Sequence, residues 1–254
     1  MQYPNIKHFT EQGTRHCNYA MFDRHGGVSR GVYGSLNVGE QVGDQPQAVQ
    51  ENRERVRAAL SVAHVLSAKQ VHDTGVYCLT EPLTDNREVE GFDALITDRP
   101  GVGLMIQQAD CQAVLLFDPV RQVIAAVHCG WRGSVQNILP QVLKVMAETY
   151  ATVPADVQAV ISPSLGPCCA EFVNYRRELP PEFEQFMVRK NYFDFRQISR
   201  NQLISAGMSD ARIESANRCT CCSEDYFSYR RASRLHNGLT GRNCSVIALK
   251  EKSA

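Results

Sequence analysis

Cysteine and histidine are good ligands for borderline metals, and one of each ends neighbouring apolar runs: Cys111, and His128 17 residues later. Residues 102–106 (VGLMI), 113–117 (AVLLF) and 123–127 (VIAAV) are short, β-branched and bounded by Gly, Pro and Asp, so they read as buried strands. If residues 118–122 (DPVRQ) turn the chain back as a hairpin, Cys111 and His128 share one end of the sheet. His72, 39 residues before Cys111, is a third candidate ligand at a strand end beside the polar pair Lys69-Gln70. A lone strand histidine is usually structural, and only the company of the other two raises this one. His8, His16, His25, His64 and His236 have no such setting and read as surface or packing residues. Metal ligation is one chemistry for this group; a hydrolase with Cys111 as nucleophile and His128 as base is another.

The elements that must position these residues belong to an ordinary globular chain. It has 254 residues, 43% hydrophobic and 21% charged, enough for a large core in one domain. Lysine plus arginine and aspartate plus glutamate number 27 each, which argues against a nucleic-acid or anionic-membrane binder acting through bulk charge. The first ten residues lack the apolar core of a signal peptide, and no run approaches the ~20 apolar residues of a membrane helix, so a cytoplasmic protein is expected. The ten cysteines read as reduced thiols rather than a disulfide framework. Cys219 and Cys222 form one C-x-x-C and Cys168-Cys169 a vicinal pair; crowded thiols near an active site are expected there, with a second zinc or redox site as the alternative.

Along the chain, residues 1–43 predict an irregular start and a glycine-rich series of turns. Asp44 caps a helix to about Ser61, with Arg53, Arg55 and Arg57 on a solvated face. Residues 74–79 read as a strand, and from Ser134 a long helix is kinked or split by Pro140. A strand at 157–161 leads into a rigid turn, 162–167, that borders the site. Residues 181–188 read as a short helix, 192–195 as extended, 197–206 as a helix ended by Gly207, and 212–214 and 243–249 as strands.

Lys69-Gln70-Val71-His72, Phe92-Asp93-Ala94-Leu95-Ile96-Thr97, Ala109-Asp110-Cys111, the run from Ala126 to Gly133 (AVHCGWRG) and Ser162-Pro163-Ser164-Leu165-Gly166 stand in an order that resembles the YfiH-type laccase-domain family. The stretches RHGGVS from Arg24, SLNVG from Ser35, Glu51-Asn52-Arg53, Cys219-Thr220, FSYRR from Phe227 and Thr240-Gly241-Arg242 extend the resemblance over essentially the whole chain. The departures, Cys129 and Ser162 where alanine and glycine are commoner, touch no presumed ligand.

The resemblance implies an α+β fold: a single-domain α/β/β/α-like sandwich over residues 1–254, of mixed, largely antiparallel sheet with flanking helices, monomeric or a weak homodimer. It implies zinc held by His72, Cys111 and His128, and phosphorolysis of purine nucleosides (adenosine, inosine, guanosine or S-methyl-5'-thioadenosine), with adenosine deamination alongside. Older family labels read polyphenol oxidase or multicopper laccase, and some bacterial members resemble a peptidoglycan-precursor editing factor. A non-catalytic protein stabilised by its metal is the alternative of a different class.

Residue chemistry weighs these labels. One thiolate and two imidazoles leave a tetrahedral zinc one open position, as in catalytic sites. A multicopper oxidase needs more well-placed histidines than the seven here provide, although Cu2+ outcompetes zinc for nitrogen and sulfur ligands and would fit the same three. Deamination needs a water activated by zinc and a proton shuttle, for which Asp110 is the candidate, with a cap or ligand-orienting role as its alternative. Phosphorolysis needs an anion site, for which Arg132, Lys69 and Arg230 with Ser228 are candidates. Gln70 beside His72 and Asn37, a polar residue in an apolar strand-like run, are candidate substrate contacts, whereas Trp131 reads as packing.

Overall fold

The computed structural model describes residues 7–11 and 14–250. The expected irregular start lies partly outside the described residues, which begin with two paired strands, β1 (Lys7–Glu11) and β2 (Thr14–Phe22). After the glycine-rich turns comes α1 (Pro46–Leu60), followed by β3 (His64–Lys69), β4 (Val76–Leu79), β5 (Arg87–Glu90) and β6 (Ala94–Thr97). The apolar centre folds as β7 (Val102–Gln108), β8 (Gln112–Asp118) and β9 (Val123–Cys129). Then come α2 (Trp131–Val135), α3 (Ile138–Tyr150), β10 (Gln158–Ile161), α4 (Tyr175–Glu178), β11 (Met187–Arg189), β12 (Tyr192–Phe193) and α5 (Phe195–Ser205). The chain closes with β13 (Ile213–Ser215), α6 (Tyr229–Leu235) and β14 (Asn243–Leu249).

The main strands form two six-stranded sheets, one in the order β1-β2-β14-β7-β3-β5 and the other β13-β10-β8-β9-β6-β4. Their inner faces share a core in which Tyr19, Leu66, Leu104 and Ile247 meet Leu95, Leu115, Phe117 and Ile124. The outer face of the first sheet is covered by α1 through Val56 and Leu60, and that of the second by α3 and α5 through Val142, Met146 and Leu203. The result is the expected four-layer α/β/β/α arrangement with mixed, mostly antiparallel pairing. β8 and β9 are buried along their whole length because both faces of their sheet are covered, which is why they read as continuous apolar runs.

The predicted hairpin is present: β8 and β9 pair antiparallel, with Ala113 opposite His128. Asp118 builds the turn by accepting the amide hydrogens of Val120 and Arg121, and Gln122 completes it at φ 56°. Other expectations change. The N-cap of α1 is Gln45, not Asp44; Asp44 instead accepts hydrogen bonds from Ser29 and Asn37, while Pro46 occupies the first turn. Arg53 is not on a solvated face, since it bridges Glu40 and Glu88 at 2.8 Å each. The long helix does break, but at Asn137 in the left-handed region, and Pro140 sits harmlessly in the first turn of α3. Residues Pro181–Phe186 form a 3-10 helix that runs into β11. The side chains of His8 and His16 and the tail beyond Lys250 lie outside the described residues. Among those described, no helix is long and apolar enough to cross a membrane.

Candidate active site

Two connections between the sheets and one strand end bring the predicted ligands together. β3 in the first sheet ends at Lys69, and His72 lies in the link that carries the chain to β4 in the second. Cys111 lies in the link from β7 to β8, another crossing from the first sheet to the second, and His128 sits near the end of β9. The ligand atoms of His72, Cys111 and His128 all lie within 4.8 Å of one another. Both links need unusual backbone: His72 has φ 61° and Asp110 φ 90°, conformations that side chains rarely adopt outside tightly constrained turns.

Asp93 supplies the constraint at His72. It is fully buried, and its carboxylate accepts the amide hydrogens of Val71, His72 and Asp73 at 3.0 Å each. The same carboxylate lies 2.7 Å from His128 Nδ1. A proton on Nδ1 then donates to Asp93 and leaves Nε2 free as a ligand. Burial pushes the Asp93 carboxyl up, but the His128 and amide hydrogen bonds outweigh it and hold the group below the usual carboxylate range. Asp110 is held in turn by Thr220, which donates to Oδ1 at 2.7 Å, by the Arg230 amide on Oδ2 at 2.6 Å, and by the Leu165 amide on its carbonyl at 2.8 Å.

Burial alone would raise the Cys111 thiol; the charge of His128 and hydrogen bonds from both imidazoles reverse this and bring it down to about 6. For His128, burial works downward, and the Cys111 thiolate with Asp93 more than offsets it, lifting the imidazole to about 9. Without a cation the pair is therefore thiolate and imidazolium. Gly130 leaves room for this cluster: a Cβ there would lie 3.1 Å from both Cys111 Sγ and His72 Cδ2.

The cluster opens into a cleft of about 800 Å³. Trp131, Phe172, Phe195 and Tyr229 give it flat apolar surfaces, so Trp131, expected as packing, lines the cleft as well as packing on Phe172. Lys69, Gln70, Asp110 and Arg230 also reach it. Lys69 is paired with Glu90 at 3.3 Å, and Gln70 spends both ends of its amide on the Gln107 backbone, fixing the β3 exit against β7. Three predicted contacts do not line it. Asn37 is buried and bonded to Gly39, Asp44 and the Arg242 amide; Ser228 is buried as the N-cap of α6; Arg132 is exposed with its guanidinium 4.9 Å from the Trp131 ring centre.

Two residues that matter carry no role in the sequence reading. Asp93 was visible only as part of a motif, since its partners come from separate segments. Arg242 lines the cleft, half-buried, with its backbone fixed by Asn37; burial lowers its pKa while the negative charges of Cys111 and Asp110 work the other way and favour the cation.

A family model described as multi-copper polyphenol oxidoreductase laccase matches residues 18–250. A Corynebacterium glutamicum protein named as a purine nucleoside phosphorylase is 35% identical over 242 residues, 91% of this chain and 93% of its own. The Geobacillus stearothermophilus purine nucleoside phosphorylase YlmD is 31% identical over 90% of this chain and 89% of its own. The crystal structure of Bacillus licheniformis YfiH superposes with a TM-score of 0.84 at 30% identity, covering 92% of this chain and 93% of that one.

Proposed function

The chain belongs to the multi-copper polyphenol oxidoreductase laccase family, and from that membership we propose that it is a zinc-dependent purine nucleoside phosphorylase. The observation that carries this reading is the convergence of one thiolate and two imidazoles within 4.8 Å at the edge of a cleft with aromatic walls and two arginines. The donor set fits zinc: Cys111 is already ionised near neutral pH, and Asp93 presents His128 Nε2. With three protein ligands and an open position, zinc would supply Lewis acidity at the cleft wall, and copper would fit the same donors. Multicopper electron transfer finds no support, because among the described residues only one cluster of potential ligands contains histidine.

The chain's own residues meet the needs of phosphorolysis. The aromatic side chains offer faces on which a purine can stack. Arg230 and Arg242 provide guanidinium forks for phosphate, and Lys69 adds a charge at the rim. Hydrogen phosphate attacks C1' of the ribose, the C1'–N9 bond breaks with its electron pair going to the purine, and the phosphate's proton ends on the base. The products are free purine and ribose 1-phosphate. Asp110 anchors the Arg230 backbone beside this anion site rather than presenting an unengaged carboxylate, which favours phosphorolysis over deamination through an Asp110 shuttle. Adenosine incubated with the protein, with and without phosphate, tests the reading by chromatography of the products. Adenine formed only with phosphate is expected; inosine formed in both buffers would assign deamination, and no product would remove the enzymatic reading.

A further inference from the structure

Four more thiols meet beside the cleft wall. Cys168 and Cys169 lie on one turn and Cys219 and Cys222 on another, and their four sulfur atoms all fall within 4.8 Å of one another. Cys222 Sγ is 3.5 Å from Cys168 Sγ and 3.4 Å from Cys169 Sγ, far beyond the ~2.05 Å of a disulfide, and all ten cysteines are free. Sulfur atoms about 2.3 Å from a tetrahedrally coordinated zinc stand roughly 3.8 Å apart, within the spread seen here. Backbone amides are aimed at the sulfur of Cys219: Gly166 N lies 3.3 Å away, and the Cys222 amide bonds to it from within the C-x-x-C turn. Such N–H to sulfur bonds stabilise a ligating thiolate. Gly166 is needed for the approach, since a Cβ there would lie 2.9 Å from Cys219 Cβ and 3.3 Å from Cys168 Sγ.

The surroundings suit a cluster of negative sulfur. Arg189 donates to the Cys168 carbonyl at 3.1 Å, and Arg196 to the Arg218 carbonyl at 2.7 Å, next to Cys219. We propose that Cys168, Cys169, Cys219 and Cys222 form a second, structural zinc site with a closed all-sulfur shell. Soft tetrathiolate donors select zinc over hard cations, and four protein ligands leave no position for substrate. The ion joins two turns that also meet through the Ser164–Cys219 bridge and the Thr220 amide on the Ser164 carbonyl. One turn continues into Glu171 and Phe172 of the cleft wall, and the other carries Thr220, whose hydroxyl holds Asp110. The second zinc thereby fixes the wall next to Cys111.

The test separates the two sites by counting metal in the full-length protein. Reduced wild-type protein, a Cys111→Ser/His128→Ala variant and a Cys219→Ser/Cys222→Ser variant are loaded with zinc and passed over a chelating resin. Metal per chain and the zinc X-ray absorption edge are then measured. Two ions are expected in wild type and one in each variant, the ion in the Cys111→Ser/His128→Ala protein having four sulfur neighbours. If the Cys219→Ser/Cys222→Ser variant fails to fold, the other variant still decides. Absence of retained zinc there, a shell containing nitrogen or oxygen, or recovery of a disulfide among the four cysteines after thiol blocking would overturn the proposal.

Discussion

One carboxylate, Asp93, decides which nitrogen His128 offers to a cation and holds His72 in its left-handed conformation through the backbone. Asp93→Asn removes the charge and the acceptor facing Nδ1, so zinc affinity at the triad should fall about 10- to 100-fold, measured by competition with a chromogenic chelator. The protonation states set a second expectation. In the metal-free protein at pH 7.5, Cys111, brought down to about 6, has lost its proton, while His128, lifted to about 9, still carries one. Metal binding expels that proton, so affinity should rise with pH by about tenfold per unit between 6 and 9 and level off above. Chelator competition at several pH values checks this; an affinity flat across that window would contradict the thiolate–imidazolium pair. Cys111 and His128 were legible in the sequence because short apolar runs bounded by Gly, Pro and Asp, with a turn between them, put the two at adjacent strand ends. Asp93 and Arg242 were not, since their partners are far away in the chain, and Asn37 misled because a polar residue in an apolar run can as well satisfy a buried loop as meet a substrate.

At the scale of elements, the triad depends on how the links between the sheets pack. Gly130 joins β9 to α2, and its missing side chain admits both Cys111 and His72. Gly130→Ala should push the ligands apart by a few tenths of an ångström and lower zinc affinity at least about tenfold, some 1.4 kcal/mol, while the thermal midpoint of metal-free protein hardly moves. α1 plays a different part. Its buried Asn52 accepts from the Val28 amide and donates to Ser29 and to the Ser35 and Asn37 carbonyls, pinning the turn-rich loop that in turn fixes Arg242. Asn52→Ala leaves these groups without partners and should cost about 2 kcal/mol in denaturant unfolding. That α1 exists was clear from its apolar stripe and Pro46; that its polar face is partly buried was not, because Glu40 and Glu88, which receive Arg53, are supplied by a loop and by β5.

Across the whole molecule, two sheets packed face to face create one edge at which successive links change sheet, and the candidate ligands gather there because three separate segments end there. The strands β8, β9 and β14 are the parts of the fold most visible in the residues themselves; the layered architecture was implied only by the family resemblance, and the pairing order of the sheets was not legible, since it depends on contacts between strands far apart in the chain. The molecule's proposed activity rests on the cation that this edge can hold. Protein stripped by a strong chelator and assayed with adenosine and phosphate is the most direct test. Loss of phosphate-dependent adenine release, recovered by added zinc in wild type but not in Cys111→Ser, is expected; a stripped protein that keeps its full rate would contradict a catalytic metal held by His72, Cys111 and His128.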